Sequence, residues 1–274
     1  MGKKNDALGD RMKERYEGAQ KIFLTRRIPV IIRIDGKAFH TFTRGMRVPF
    51  DDVLLNSMQR TMKYLCENIQ GCVLGYTQSD EITLVLIDYM KLDSSSWFDY
   101  NIQKVCSVSA SMATVAFNKF FNRNTIEFLY AWNKTSDSIE NKLYDTYDNA
   151  AAKGAMFDAR CFNIPKEEVA NCILWRQNDA TRNSIESVGQ ANFSQRQLHG
   201  KSCSQIQDML MTEKGINWND FPVMLKRGSC CVKVDVEDTD ADHIPRKKWI
   251  VDTDIPIFKG EGREYINSRV FVGE

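Results

Sequence analysis

The sequence lacks the features that define several large classes of protein. Among its 274 residues no apolar run approaches the ~20 residues that span a bilayer, so we expect no membrane partner. Only three histidines occur (His40, His199 and His243), and none has metal-ligand spacing, which argues against a zinc site. The eight cysteines include no CxxC pair, and no apolar leader precedes the charged N-terminal residues. We therefore expect reduced thiols in a cytoplasmic protein.

Neither sign of charge dominates the chain. Thirty-seven Lys and Arg residues against thirty-six Asp and Glu residues give a net charge of +1. Without a global positive field, any RNA-binding surface has to be local. The sequence also has no internal repeat and no low-complexity linker. We expect a single domain over residues 1–274, with a core at 25–165 and a C-terminal elaboration at 166–274.

The order of the segments predicts an α+β fold with an antiparallel sheet. Strand-like runs occur at 29–35, 72–77, 81–87 and 155–163, and helical spacing occurs at 51–70 and 97–121. The order β-α-β-β-α-β is the ferredoxin-like unit. We expect its helices to cover one face of the sheet, leaving the other free for RNA or another subunit.

The remaining segments are less regular in pattern. Residues 133–153 are polar and fit either an irregular segment or a solvent-facing helix. The C-terminal part begins with a helical pattern from residue 165 to about 187, continues as a helix near 195–212, and ends in strands and loops.

The topology brings acidic residues together at one end of the sheet. The first crossover leaves strands one and two parallel, and the hairpin then makes strand three antiparallel to both. Because strands one and three are neighbours in this unit, Asp35 at the end of the first should lie close to Asp80 and Glu81 at the start of the third.

Converging carboxylates repel each other unless a cation lies between them. Hard oxygen ligands favour Mg²⁺, and two ions held by two acids suit in-line displacement at phosphorus. We expect Asp80 to be the direct ligand. Glu81, on the opposite face if both residues are in the strand, is expected to be a partial ligand or a support.

The residues after the first strand are suited to hold phosphates. Gly36 lets a ligand approach the backbone closely, and residues 37–40 (Lys37, Ala38, Phe39 and His40) offer successive amides and a cation to a triphosphate. An ordinary Asp-Gly turn and a polar hairpin tip explain the same pattern without any ligand. The residue pattern alone leaves both readings open.

Three segments resemble the tRNA-histidine guanylyltransferase family and its bacterial and archaeal relatives: RIDGKAFHTFTR (33–44), GYTQSDEITLVL (75–86) and WRQNDATRNSI (175–185). The likeness extends from about residue 8 to residue 232. The family is known as 3′–5′ nucleotide-adding polymerases with a palm fold. The resemblance implies a nucleotidyltransferase that acts on tRNA with ATP, GTP and other NTPs, and it implies a homo-oligomer, commonly a tetramer.

The resemblance also implies roles for single residues. It implies Asp35 and Asp80 as metal-binding, catalytic acids, with the Gly36 carbonyl assisting and Glu81 beside them. The backbone of residues 37–40 and the side chain of Ser79 would hold the nucleotide triphosphate.

One further role concerns the RNA 5′ end. In the family a basic residue precedes a Pro-x-Asp sequence after the first motif and helps activate this end. Here Val48 directly precedes Pro49, so Arg47, one place displaced, is the candidate.

The third motif departs from the eukaryotic pattern. Eukaryotic members carry His-Ile-Asn-Asn-Leu-Tyr-Asn after WRQ-x-D-x, a stretch associated with adding an untemplated guanosine to tRNA-histidine. This chain reads Thr-Arg-Asn-Ser-Ile-Glu-Ser at 181–187 and looks like the relatives that extend 5′-truncated tRNAs against a template. Arg182, Asn183 and Lys201 are candidates for contacts to phosphates of a second nucleotide or of the RNA 5′ end, or are surface and capping groups.

Templated 3′–5′ addition to the 5′ end of tRNA, with ATP or GTP activating the 5′ phosphate, is therefore the function we predict. Three alternatives stay open: untemplated guanosine addition to tRNA-histidine, a palm-type nucleotidyl cyclase, and a non-enzymatic RNA-binding ferredoxin-like module. The last is disfavoured because the chain lacks that module's aromatic strand motif and the module has no use for converging acids.

Overall fold

The computed structural model describes residues 6–132, 139–236 and 246–273, which surround a six-stranded antiparallel sheet. The strands are β1 (Val30–Gly36), β2 (Cys72–Gln78), β3 (Glu81–Leu86), β4 (Phe157–Asn163), β5 (Ser229–Val236) and β6 (Arg246–Asp252). They lie in the order β4-β1-β3-β2-β5-β6. The first four have the predicted ferredoxin-like order, and β5 and β6 extend the sheet beyond β2.

The helices of the described residues are α1 (Ala7–Met12), α2 (Phe39–Phe42), α3 (Asp52–Asn68), α4 (Ile102–Trp132), α5 (Ile139–Lys153), α6 (Lys166–Asn192), α7 (Gln195–Leu198), α8 (Cys203–Lys214), α9 (Val223–Arg227) and α10 (Glu264–Val270). Helix α3 begins where the sequence predicts, because the Asp51 carboxylate accepts a hydrogen bond from the Leu54 N–H at 2.9 Å. None of the helices in the described ranges has the length and apolarity needed to cross a membrane.

The second core helix differs from its predicted bounds at both ends. Residues 98–100 have left-handed φ values of 51–56°, which do not continue a helix, so α4 begins only at Ile102. The Asn101 side chain caps α4 by accepting the Lys104 N–H at 3.0 Å. With no glycine or proline to stop it, α4 continues to Trp132 rather than ending at 121.

Residues 133–153 fitted either an irregular segment or a helix, and the structure has the helix α5 from Ile139 onward. Residues 133–138 lie outside the described residues. Tyr147 of α5 is buried and donates a hydrogen bond to the Asp51 carboxylate at 2.6 Å. Helix α5 is thus fastened to the start of α3.

The first face of the sheet packs against α3 and α4 through an aromatic core. Ile32 and Ile34 of β1 and Leu65 of α3 are completely buried here. The rings of Phe39 and Phe117 meet edge to face, with centroids 5.5 Å apart. This face contributes the larger of the apolar clusters.

The expectation that the second face is free is wrong. Val169 and Ile173 of α6 and Ile266 of α10 are buried against Ile31 of β1 on that face. The reason is visible in the continuous apolar run Val30-Ile31-Ile32, because a strand that is apolar on both sides is covered on both sides.

The prediction of a single helix near 195–212 is also wrong. The chain breaks it into α7 and α8 at Gly200, whose φ of +73° does not continue a helix. Ser202 then caps α8 by accepting the Gln205 N–H at 3.3 Å.

Candidate active site

The ends of β1 and β3 meet as the topology predicts. Asp35 lies opposite Glu81 in the antiparallel register, and the Gly36 N–H donates a hydrogen bond to the Asp80 carbonyl oxygen at 3.1 Å. Ser79 and Asp80 form the two-residue turn between β2 and β3. Asp80 therefore lies in the turn, and only Glu81 belongs to the strand.

Three acids stand side by side across this end of the sheet. The register pairs Asp35 with Glu81 of β3 on one side and with Asp158 of β4 on the other. Residues paired in this way project from the same face, and we call these three the acidic rung. Sequence analysis placed Asp35 and Glu81 here but missed Asp158.

The outer two members of the acidic rung are neutralised by arginines. Glu81 forms an ion pair with Arg176 at 2.7 Å, and Asp158 forms one with Arg160 at 3.0 Å. The Asp35 carboxylate has no hydrogen bond or ion pair with any residue that the structure describes. The central acid of the rung is therefore the one available to a cation.

The pair of Glu81 and Arg176 is buried, with side-chain exposures of 8% and 10%. Burial raises the pKa of the Glu81 carboxyl, and the positive charge of Arg176 opposes that rise. Arg176 also bonds Asp179 one turn along α6, at 2.9 Å. Glu81 is thus held as part of a buried network.

Arg176 stands within the third motif, but no role for it was predicted from the sequence. The sequence did contain a signal for this role. Glu81 belongs to a strand, and a carboxylate that a helix buries against a sheet requires a cation as its partner. What the sequence did not show is that α6 covers this face of the sheet.

Asp80 is half-buried, and its Oδ1 accepts a hydrogen bond from the Ser79 hydroxyl at 3.1 Å. Burial raises the pKa of the Asp80 carboxyl, and the nearby negative charge of Asp35 acts in the same direction. Within the described ranges no cluster of three or more His, Cys, Asp or Glu side chains could hold a metal ion. A cation here would rest on Asp35 and Asp80, with other oxygens completing its shell.

A cleft of about 560 Å³ opens beside Asp80. Its lining includes seven of the predicted site residues: Gly36, Ala38, Phe39, His40, Arg47, Ser79 and Asp80 itself. A volume of this size suits a small-molecule ligand such as a nucleotide. Lys37, also predicted to bind the nucleotide, is exposed and outside this lining.

The loop between β1 and α2 has an unusual backbone. Ala38 has a left-handed φ of +53°, and Ser79 across the cleft has a φ of +50°. Non-glycine residues in this region are strained, and such strain concentrates at ligand sites. The Lys37 N–H is already bonded to the Met156 carbonyl at 2.8 Å, so the amides left for a ligand are those of residues 38–40.

Gly36 is required by the packing of this loop. A Cβ at this position would overlap the ring of Phe39, which is held in the aromatic core. A glycine is therefore needed at position 36 because the Phe39 ring packs directly against its Cα.

The predicted RNA-binding residues are only partly brought together. Arg47 lines the cleft, where its guanidinium lies 4.8 Å from the centre of the Phe128 ring, and Asn183 lines a neighbouring apolar pocket of about 170 Å³. Arg182 instead pairs with Asp179, and Lys201 lies in the connection between α7 and α8; neither belongs to the two linings.

Comparison with known proteins identifies the family of the chain. The model of the tRNA-histidine guanylyltransferase family matches residues 9–165. The chain belongs to this family. The matched range contains the acidic rung and the loop that lines the cleft, and members of the family are nucleotidyltransferases, so we assign that class of activity to the chain.

Solved structures include two similar bacterial members of the guanylyltransferase family. A bacterial tRNA-histidine guanylyltransferase-like protein in complex with ATP is 44% identical, with a TM-score of 0.79, over 97% of this chain and 100% of that one. The same kind of protein in complex with GTP is 41% identical with a TM-score of 0.77, again over 97% of this chain and 100% of that one.

A more distant relative is the probable tRNA-histidine guanylyltransferase of Dictyostelium discoideum. It is 24% identical over 81% of this chain and 82% of its own length. The guanylyltransferase of Saccharomyces cerevisiae, 20% identical with a TM-score of 0.63 over 89% of this chain and 96% of that one, shares the fold.

Proposed function

We propose that this chain adds nucleotides to the 5′ end of truncated tRNA in the 3′–5′ direction, choosing each one by pairing with a template. The 3′-OH of the incoming NTP attacks the activated 5′ phosphate of the RNA, a phosphodiester bond forms, and pyrophosphate or AMP leaves. The observation that carries the proposal is the unpartnered Asp35 carboxylate at the end of β1, where the next residue, Gly36, lines a cleft of nucleotide size together with Asp80. The similar bacterial proteins solved with ATP and GTP support the same assignment.

Asp35 and Asp80 have the chemistry that a Mg²⁺ site requires. Their oxygens are hard ligands. Burial raises the pKa of Asp80 and repulsion by Asp35 adds to that rise, and a cation would relieve the repulsion. Nucleotidyl transfer in the family typically uses metal ions, and we assign two Mg²⁺ ions to these acids, with the Gly36 carbonyl assisting. When bound, Mg²⁺ stabilises the charge that develops on the phosphoryl group in transfer. Glu81, held by Arg176, supports the site from β3.

The triphosphate is assigned to the loop that follows β1. The amides of Ala38, Phe39 and His40 border the cleft and can donate hydrogen bonds to phosphate oxygens, and the Ser79 hydroxyl can do so once it turns away from Asp80. Lys37 is exposed and contributes positive charge near the opening. These groups hold phosphates in place and carry no information about the base.

The RNA 5′ end is assigned to the side of the cleft that Arg47 lines. The Arg47 N–H donates to the Asp51 carboxylate at 3.0 Å, so its backbone is fixed to the start of α3. Asn183 borders the adjoining pocket from α6. Arg182 and Lys201 are assigned to phosphates farther along the RNA.

The template requirement follows from how little the site offers for reading a base. Two asparagines of the eukaryotic stretch are serines here, Ser184 and Ser187, and both line the apolar pocket. The Ser184 hydroxyl already accepts a hydrogen bond from the Trp218 indole at 3.1 Å. An enzyme that adds a fixed guanosine has to read guanine, whereas one that copies a template can leave that choice to base pairing.

The test uses tRNAs that lack their first nucleotide, with each of the four bases opposite the gap. We expect Mg²⁺-dependent addition of the complementary nucleotide, with a preference of roughly ten- to hundredfold, and extension that stops when the acceptor stem is complete. Addition of guanosine at equal rates opposite all four bases would contradict the proposal and favour untemplated addition to tRNA-histidine.

The proposal includes a cytoplasmic location and a homo-oligomer, the second of which the family resemblance implies. Light scattering on the purified chain tests the assembly, and fractionation of the source cells tests the location. A monomer at micromolar concentration would contradict the first expectation.

A further inference from the structure

An exposed tryptophan lies on α6 beside the acidic rung, and the function proposed above does not use it. Trp175 is 53% exposed, although tryptophan is among the residues that folding usually buries most. The next residue, Arg176, is the buried partner of Glu81. Trp175 is thereby fixed close to the reacting end of the sheet.

Two guanidinium groups hold the orientation of this ring. The carbon of the Arg176 guanidinium lies 4.5 Å from the ring centre, and that of Arg33 lies 5.5 Å from it. Arg176 is buried and Arg33 is half-buried on the sheet, so both approach from the sheet side. The exposed surface of Trp175 is the side that faces away from the protein, and its orientation is set before any ligand arrives.

The surroundings of Arg33 indicate an anion. Arg33 lies directly opposite Arg160 in the register of β1 and β4, and like charges in that position repel each other. Arg160 has Asp158 as its partner, but the buried Arg33 Nε has no hydrogen-bond partner among the described residues. A phosphate placed near Arg33 would offset this repulsion.

The position of this surface relates it to the reaction. Arg33 precedes Asp35 by two residues on the same face of β1, a distance of about 7 Å along the strand. An RNA whose 5′ phosphate reaches Asp35 therefore places its nearest nucleotides within reach of Trp175. In a truncated acceptor stem, the template base opposite the gap is taken by the incoming nucleotide, and the next unpaired nucleotides are those of the 3′ overhang.

We propose that Trp175 stacks on an unpaired base of the 3′ overhang of the RNA substrate, while Arg33 contacts an adjacent phosphate. The inference rests on the proposed function, because it takes the RNA acceptor end as the substrate. It adds a binding surface on α6 and β1 that lies outside the nucleotide cleft. Exposed aromatic side chains beside cations are the usual means by which proteins hold single-stranded RNA.

The experiment measures binding of the full chain to a 5′-truncated acceptor minihelix, with and without its 3′ overhang, by fluorescence anisotropy in the absence of NTP. We expect Trp175→Ala to weaken binding of the overhang RNA by about ten- to hundredfold and to leave binding of the blunt RNA unchanged. Trp175→Phe should retain most of the affinity, whereas Trp175→Leu should not. Arg33→Gln should lower the slope of log Kd against log salt by about one.

Phe271→Ala provides the matched control, since this exposed aromatic at the end of α10 is 50% exposed and outside both pocket linings. It should bind both RNAs as the unmodified protein does. Equal binding of blunt and overhang RNA by the unmodified protein would overturn the inference. A change of oligomeric state in Trp175→Ala, with RNA affinity intact, would also overturn it and assign the surface to a second copy of the chain.

The same measurements separate this inference from the function on which it rests. If the unmodified protein extends truncated tRNA and Trp175→Ala leaves the Kd unaltered, the stacking is disproved and the proposed function stands. Protein that binds the overhang through Trp175 but adds no nucleotide disproves the proposed function and supports the stacking.

Discussion

The two faces of strand β1 carry different side chains and have different consequences for the protein. Ile32 and Ile34 are completely buried in the aromatic core beneath α3 and α4. Arg33 and Asp35, one residue away in each case, project to the opposite face, where charges gather beneath α6. Because side chains alternate along a strand, the seven residues of β1 supply both the packing that stabilises the fold and the groups to which we assign the chemistry.

We therefore expect substitutions on the two faces of β1 to have different effects. Substitutions on the face toward α3 and α4 should change the free energy of unfolding and leave the reaction alone. Substitutions of the acids at the end of the other face should do the reverse, except where a buried ion pair joins the two functions.

The ion pair of Arg176 and Glu81 is that exception and should give the largest loss of stability. Arg176→Met leaves the Glu81 carboxylate buried without its cation, which should lower the free energy of unfolding by about 3–5 kcal/mol at neutral pH. Burial already raises the pKa of Glu81, and loss of Arg176 raises it further. The folded variant therefore binds a proton more tightly than the unfolded chain, so its deficit grows as pH rises and shrinks as pH falls.

Urea unfolding of Arg176→Met at several pH values measures this effect. The double variant Arg176→Met/Glu81→Gln is the control and should recover most of the loss, because no charge is then left unpaired. A pH-independent deficit, unchanged in the double variant, would show that Arg176 acts through packing.

The next effect belongs to the apolar face. Leu65 of α3 is completely buried far from the cleft, and Leu65→Ala should lower the free energy of unfolding by about 2–5 kcal/mol. Nucleotide addition measured well below the melting temperature should stay within a few-fold of normal. Leu8→Ala, at a residue 61% exposed, is the control and should change stability by less than about 0.5 kcal/mol. If Leu65→Ala abolished nucleotide addition while still folded, the separation of the two faces would be wrong.

The smallest effect on stability should come from Asp80, and it should be a gain. The pKa of Asp80 is raised in the folded protein, so its ionised form is disfavoured there relative to the unfolded chain. Asp80→Asn should therefore raise the melting temperature in metal-free buffer at neutral pH, and the gain should disappear as pH falls below the ordinary pKa of aspartate. Thermal unfolding at acidic and neutral pH tests this; a lower melting temperature at neutral pH would mean that Asp80 stabilises the apo protein.

The sequence predicted the core of the fold and the meeting of its acids for a physical reason. Strand and helix patterns are local, and the ferredoxin-like order leaves few ways to connect them. Once β1 and β3 are neighbours, Asp35 and Asp80 have to meet at the turn. The break between α7 and α8 was not predicted, although Gly200 marks it in the sequence.

The remaining parts of the site depend on tertiary contacts that no local pattern contains. Asp158 joins the acidic rung only because of the register between β1 and β4. Arg176 meets Glu81 only because α6 covers the second face, which was expected from the sequence to be free. The stacking of Trp175 on Arg33 depends on both contacts together.

The most direct test of the account compares two acids of the same rung. Asp35 has no protein partner in the described residues, whereas Asp158 is paired with Arg160. Binding of Mn²⁺, a paramagnetic substitute for Mg²⁺, is measured by electron paramagnetic resonance on Asp35→Asn and Asp158→Asn, together with nucleotide addition. The account predicts that Asp35→Asn folds normally, loses Mn²⁺ binding and loses at least about a thousandfold in rate, while Asp158→Asn keeps both within a few-fold. Normal Mn²⁺ binding by Asp35→Asn, or equal losses in the two variants, would contradict it.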